Sequence, residues 1–124
     1  MKTDRQKLHD KLWKLFSIYI RNRDKRKCIT CGRQFWDEEK GEWSLNGLEA
    51  GHYKHGVLDF DEMNINCQCT KCNHFLSGNL SEYSLYLLQK YGKKKFEDLH
   101  NRAKQPKPLS LEEYQQKIDY YKNI

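Results

Sequence analysis

The chain has 124 residues, 37% of them apolar and 32% charged, with 23 Lys and Arg against 17 Asp and Glu. That length suits one domain and excludes two ordinary ones, and so small an apolar content calls for a staple beyond the hydrophobic core. The Lys-, Arg- and Asp-bearing N-terminus has no apolar signal-peptide core, and no run approaches a membrane span; a cytoplasmic protein with no membrane partner is expected, its paired Cys-x-x-Cys spacings serving metal and not disulfides.

Charge is segregated along the chain. Residues 1–35 carry 11 Lys/Arg against 3 Asp/Glu, residues 36–66 carry 2 against 8, and residues 67–124 carry 10 against 6. Basic flanks suggest a polyanionic partner, and an acidic middle suits a divalent cation that must meet a phosphate. A solvated charged surface with no partner is the alternative.

Thr3 with Gln6 forms a capping box, and Leu8, Leu12, Leu15, Phe16, Tyr19 and Ile20 recur at helical spacing, so a helix is predicted over residues 4–24. Its basic exit, from Arg21 through Arg23 to Lys27, suits phosphate contact. Cys28-Ile-Thr-Cys31-Gly32 then reads as a metal knuckle. Residues 33–47, with Trp36, Trp43 and the turn signal Asn46-Gly47, make an irregular loop or hairpin. Strands are predicted over residues 48–53 and 63–67, with a helix starting near Thr70.

Asn79 with Glu82 suggests the next helix cap, and Leu80, Tyr83, Leu87, Leu88 and Tyr91 line one face before Gly92 stops the helix. A short helical segment covers residues 93–103, and Pro106 and Pro108 break it. Ser110 with Glu113 caps a final helix with Leu111, Tyr114, Ile118 and Tyr121 on one face. Tyr114, Tyr120 and Tyr121 offer a face for a homodimer.

Cys28, Cys31, Cys69 and Cys72 supply four thiolates from two knuckles, a strong signal for a tetrahedral structural zinc. Such a closed site contributes folding energy and leaves no open position for Lewis-acid chemistry. Cys67 is either a small buried side chain or a substitute for Cys69. Between the knuckles lie His52, Asn64 and Asn73, the candidates for catalysis.

These residues carry a resemblance. Phe16-x-x-Tyr19-Ile20-Arg21-x-Arg23-Asp24, Cys28-Ile29-x-Cys31-Gly32, Ala50-Gly51-His52-Tyr53, Phe60-Asp61-Glu62-x-Asn64, Gln68-Cys69-x-x-Cys72-Asn73, and Ser77-Gly78-Asn79 through Tyr83 to Tyr91-Gly92 occur in unbroken order. The pattern resembles the treble-clef ββα-metal nucleases called HNH or His-Me finger enzymes. More narrowly, it resembles the phage NinG (Rap) recombination nucleases. Residues 93–124 add nothing to the resemblance.

The resemblance implies an α+β single domain: a basic N-terminal helix (1–27), a zinc-stapled HNH-like ββα core (28–78) and C-terminal helices (79–124). It implies that His52 is the general base, that Asn64 orients the His52 loop or ring, and that Asn73 helps to hold a catalytic Mg²⁺ or Mn²⁺. The products would carry a 5′-phosphate and a 3′-hydroxyl. Many HNH enzymes place an acidic residue or a histidine just before the catalytic histidine as a metal ligand, and here Gly51 stands there. Glu49, two residues earlier and on the same strand face, and Asp61 are the replacement candidates, with Glu62 and His74 behind them. Arg21, Arg23, Lys54 and Lys71 are the expected contacts to DNA backbone.

Three functions follow as expectations. The first is a metal-dependent endonuclease acting on branched or single-stranded recombination or replication intermediates, such as Holliday junctions or flaps. The others are a sequence-specific HNH nuclease and a zinc-stapled DNA-binding module with an inactive nuclease site.

Overall fold

The computed structural model describes residues 1–124. The capping box operates: Thr3 accepts the Gln6 amide on its hydroxyl, Gln6 accepts the Thr3 amide in return, and α1 runs Asp4–Arg23. The expected apolar stripe turns inward, with Leu12, Phe16 and Ile20 fully buried. Beyond the first knuckle, β1 (Trp36–Asp37) and β2 (Glu42–Trp43) make a small exposed hairpin. Trp36 pairs with Trp43 across it, edge to face, with centroids 5.1 Å apart.

The centre of the molecule is an antiparallel pair, β3 (Leu48–His52) and β4 (Ile65–Cys69), in register from Leu48 opposite Cys69 to His52 opposite Ile65. Every residue of β4 is buried, including Asn66 and Gln68. The second strand lies later than the 63–67 expected, and Asp61 is the reason. Its Oδ1 accepts the amides of Met63 at 3.0 Å and Asn64 at 3.2 Å, which holds those two residues in a turn. After β4 the chain enters a π-helical turn, Lys71–Phe75, where a helix was expected.

Three more helices follow: α2 (Leu80–Tyr91), α3 (Lys93–Lys104) and α4 (Leu111–Lys122). The Ser110–Glu113 capping box opens α4 as predicted. Asn79 behaves otherwise. It is left-handed at φ 49°, makes no side-chain cap, and directs its Nδ2 at the Cys72 sulfur, 3.6 Å away.

Helices α1 and α4 cover one side of the strand pair, joining Leu12, Phe16 and Ile20 to Ala50, Ile65, Tyr114, Ile118 and Tyr121. Tyr114 and Tyr121 are each 7% exposed, so the proposed tyrosine face is core, and of the three only Tyr120 is open. Helices α2 and α3 build a second cluster from Tyr53, Tyr83, Leu87 and Leu99. Tyr83 bridges the two regions: its buried hydroxyl donates to the Gly51 carbonyl at 2.7 Å and accepts from Asn66 Nδ2 at 3.0 Å. The architecture is α+β, four α-helices around two small antiparallel sheets. No helix is long and apolar enough to cross a membrane.

Candidate functional site

The sequence places one cysteine pair just after α1 and the other at the end of β4 and in the π-helical turn, and the fold closes them on each other. The sulfurs of Cys28, Cys31, Cys69 and Cys72 all lie within 4.8 Å of one another, with Cys31 and Cys69 3.6 Å apart. A tetrahedron with Zn–S bonds of about 2.3 Å has edges of roughly 3.8 Å, so the four thiols fit a zinc ion. Cys28, Cys69 and Cys72 are buried and Cys31 is exposed. Burial raises the Cys28 thiol, but the Thr30 hydroxyl and nearby backbone amides outweigh it and bring the group down to about 6. Cys67 stands outside the cluster of four. Burial, reinforced by the Asp24 carboxylate, pushes its thiol up to about 12, which leaves it protonated as a small apolar side chain.

His52 ends β3 and is half-buried between two supports. Its ring stacks on Trp13 of α1, 5.5 Å between centroids and 19° from parallel. Its Nε2 lies 2.9 Å from Asp59 Oδ1, while the other oxygen of Asp59 lies 2.9 Å from His9 Nε2. The hydrogen bond from His52, helped by that from His9, holds the Asp59 carboxyl down at about 2 against the upward push of burial. Asp59 is therefore an ionised acceptor, so each histidine must donate its Nε2 hydrogen to it. In neutral His52 that leaves Nδ1 bare as a proton acceptor.

Asn64 fastens the loop that carries Asp59. Its Oδ1 accepts the Lys54 amide at 2.7 Å, and its Nδ2 lies 3.2 Å from the Lys54 carbonyl, 3.1 Å from that of Val57 and 3.3 Å from that of Leu58. The side chain is fully buried. Its side-chain hydrogen bonds go to the backbone of that loop and none goes to the His52 ring.

Asn73 and Glu49 are brought together beside this group. Asn73 Nδ2 donates to Glu49 Oε1 at 2.7 Å, and His74 Nε2 lies 2.9 Å from the same carboxylate. These three residues line a groove of about 370 Å³ with Trp13, Ser17 and Arg21 of α1. Trp13 thus joins the His52 ring to the groove. A side chain at position 51 has no room: a Cβ on Gly51 would sit 2.0 Å from Gln68 Oε1 and 3.0 Å from Asn73 Oδ1.

Other expected site residues stand elsewhere. Asp61 is a structural group: beyond capping its turn, its Oδ2 meets the Arg102 guanidinium of α3 at 3.0 Å. Glu62 takes the hydroxyls of Tyr19 at 2.9 Å and Tyr121 at 2.8 Å. Arg23 is not a surface cation. Its side chain is 17% exposed, and its donors go to Asp24, the Glu62 and Ile65 carbonyls and Asn66 Oδ1. Asp24 in turn accepts the Cys67 amide at 2.8 Å. Arg21 does line the groove, and Lys71 is exposed on the π-helical turn beside Asn73. Lys54 lies over the Tyr53 ring, 5.5 Å from its centroid. The sequence reading overlooked Asp59 and His9, whose partnership spans 50 positions and leaves no local pattern.

Comparison with known proteins gives this arrangement its relatives. The family model described as "Bacteriophage Lambda NinG protein" matches residues 1–124. "Protein ninG" of Escherichia phage 933W is 33% identical over 122 residues, covering 86% of this chain and 54% of the relative. "Protein ninG" of Escherichia phage lambda is 33% identical over 119 residues, covering 86% and 53%, and that of Salmonella phage P22 is 33% identical over 113 residues, covering 82% and 51%. The chain thus spans about half the length of the curated relatives it matches. No solved structure matches it. With the whole chain matched by the family model and the cysteine, histidine and asparagine positions set out above, the protein belongs to the NinG family.

Proposed function

We propose that the chain is a metal-dependent, zinc-stapled endonuclease of the HNH type, hydrolysing phosphodiester bonds in branched or single-stranded DNA recombination or replication intermediates. The observation that carries this reading is the His52 imidazole, tied by Asp59 and stacked on Trp13, beside a groove where Glu49, Asn73 and His74 converge. The carboxylate oxygens of Glu49 and the carboxamide oxygen of Asn73 suit Mg²⁺ or Mn²⁺.

The division of labour follows from the contacts. His52, its Nε2 hydrogen committed to Asp59, removes a proton from the attacking water through Nδ1, a contribution typically of about a hundred- to ten-thousand-fold in rate. Asp59 orients the ring and stabilises the imidazolium that forms. Asn64 keeps the Asp59 loop in register with β3. Glu49 and Asn73, with His74 beside them, would hold the cation, which when bound supplies charge stabilisation at the scissile phosphate and its leaving oxygen. Arg21 on the groove wall and Lys71 beside Asn73 attract the DNA backbone without reading sequence.

The test is a cleavage panel of linear, single-stranded, flap and four-way DNA with Mg²⁺, Mn²⁺ or chelator, comparing wild type with His52→Ala. Metal-dependent cutting of branched or single-stranded substrates, abolished by His52→Ala with zinc content and DNA binding intact, is the expected result. No cutting of any DNA that the protein binds would sink the proposal in favour of a DNA-binding module. Cutting confined to one linear sequence would favour a site-specific nuclease.

A further inference from the structure

Gln68 is the anomaly of the interior. It is fully buried in β4, and its Oε1 is a buried polar side-chain atom with no hydrogen-bond partner. Most buried polar groups are satisfied, so such an orphan calls for an explanation. The amide is not free to turn away. Both hydrogens of Nε2 are committed, one to the Gly78 carbonyl at 2.7 Å and one to Thr30 Oγ1 at 3.2 Å, which fixes the direction of the oxygen.

That direction is the Cβ position of Gly51. Gln68 Oε1 lies 2.0 Å from it and Asn73 Oδ1 lies 3.0 Å from it, so two carboxamide oxygens converge where residue 51 has no side chain. The nitrogen of Asn73 is meanwhile held by Glu49, which leaves the Asn73 oxygen, like that of Gln68, turned toward Gly51. An ordinary side chain at position 51 would close this space.

We propose that Gln68 Oε1 is a ligand of the divalent cation, taking with Asn73 Oδ1 and the Glu49 carboxylate the role that an acidic side chain at position 51 would otherwise fill. The inference rests on the nuclease reading above and names the missing member of its cation site. Carboxamide oxygens are ordinary ligands for hard divalent cations, and a site with two of them and one carboxylate carries less negative charge than an all-acidic one. Thr30 couples this site to the zinc knuckle, because the hydroxyl that receives Gln68 Nε2 also lies 3.2 Å from the Cys28 sulfur.

The test reads cation binding independently of cleavage: Mn²⁺ titrated into the zinc-loaded full chain, followed by electron paramagnetic resonance and calorimetry. Gln68→Met removes the oxygen at nearly constant volume, and Gly51→Ala displaces it while leaving the ligand residues intact. Both are expected to bind Mn²⁺ roughly tenfold or more weakly, the scale of losing one partner in a metal site, with zinc content unchanged, whereas His52→Ala should bind it as wild type does. In the unmodified chain, Mg²⁺ should shift the Gln68 side-chain ¹³Cδ resonance, a readout that does not depend on either variant folding. Mn²⁺ binding lost in Asn73→Ala but kept in both Gln68→Met and Gly51→Ala, or an unmoved Gln68 resonance at saturating Mg²⁺, overturns the Gln68 assignment and leaves the nuclease reading standing. Wild type that binds no Mn²⁺ overturns both.

Discussion

Asp59 holds His52 and His9 at once, one carboxylate oxygen 2.9 Å from each imidazole Nε2. The arrangement ties the end of β3 to the first half of α1 through a single ionised group. Its removal should therefore have a catalytic and a structural consequence that can be measured separately.

For catalysis, Asp59→Asn keeps the shape of the side chain but removes the charge that stabilises a protonated His52. Cleavage by this variant should fall, by up to the roughly hundred- to ten-thousand-fold that a well-placed general base contributes, with DNA binding unchanged. His9→Ala, acting only through Asp59, should cost less. Single-turnover cleavage alongside a binding titration checks both.

For stability, the sign follows from a carboxyl whose pKa is lower in the folded protein than its ordinary value of 3.8. Such a group contributes stability that is fully present above about pH 4 and is lost as pH falls toward about 2. Below about pH 4 the stability difference between wild type and Asp59→Asn should shrink as pH falls toward about 2. Urea unfolding at a series of pH values across that acid window would show it, and a difference that grows between about pH 4 and 2 would contradict it.

Arg21 and Arg23 lie two positions apart and should behave as opposites. Arg23→Ala leaves Asp24, whose side chain is 3% exposed, without its partner. Removing one member of a buried pair costs about 3–5 kcal/mol, so thermal unfolding should expose the loss. Arg21→Ala should leave stability alone, weaken DNA binding similarly for all sequences, and lower the slope of log affinity against log salt by about 1.

The five cysteines should divide four to one. Native mass spectrometry should find one zinc per chain, lost in Cys69→Ala and retained in Cys67→Ala, because Cys67 stands outside the cluster of four. The Cys67 variant should lose only about 1–2 kcal/mol, as for an ordinary small core truncation. Chelation of the zinc should reproduce the Cys69 phenotype.

What the sequence made legible was local. Both capping boxes, the cysteine pairs and the apolar face of α1 could be read because each is written within a few residues. The start of β4 could not, since it depends on the Asp61 carboxylate bending back to two backbone amides. Asn79 defeated the cap reading because Ser77, Gly78 and Asn79 are all left-handed, which turns its side chain toward the metal knuckle and away from the helix. Arg23 looked like its basic neighbours, and only the docking of α1 onto β4 turns it inward. Asp59 and His9 required the folded loop and helix together.

The spacing of the two knuckles has a mechanical consequence. Cys31 and Cys69 are 38 positions apart, and the segment between them holds β3, the Asp59 loop and the first residues of β4. A zinc ion held by the four cysteines would turn this stretch into a closed ring, and much of the chain entropy that would oppose ordering it would be removed at the moment Cys69 joins the first knuckle. A nascent chain cannot close that ring before Cys69 is made. His52 and Asp59 should acquire their fixed partnership late and together, as one cooperative step gated by the metal.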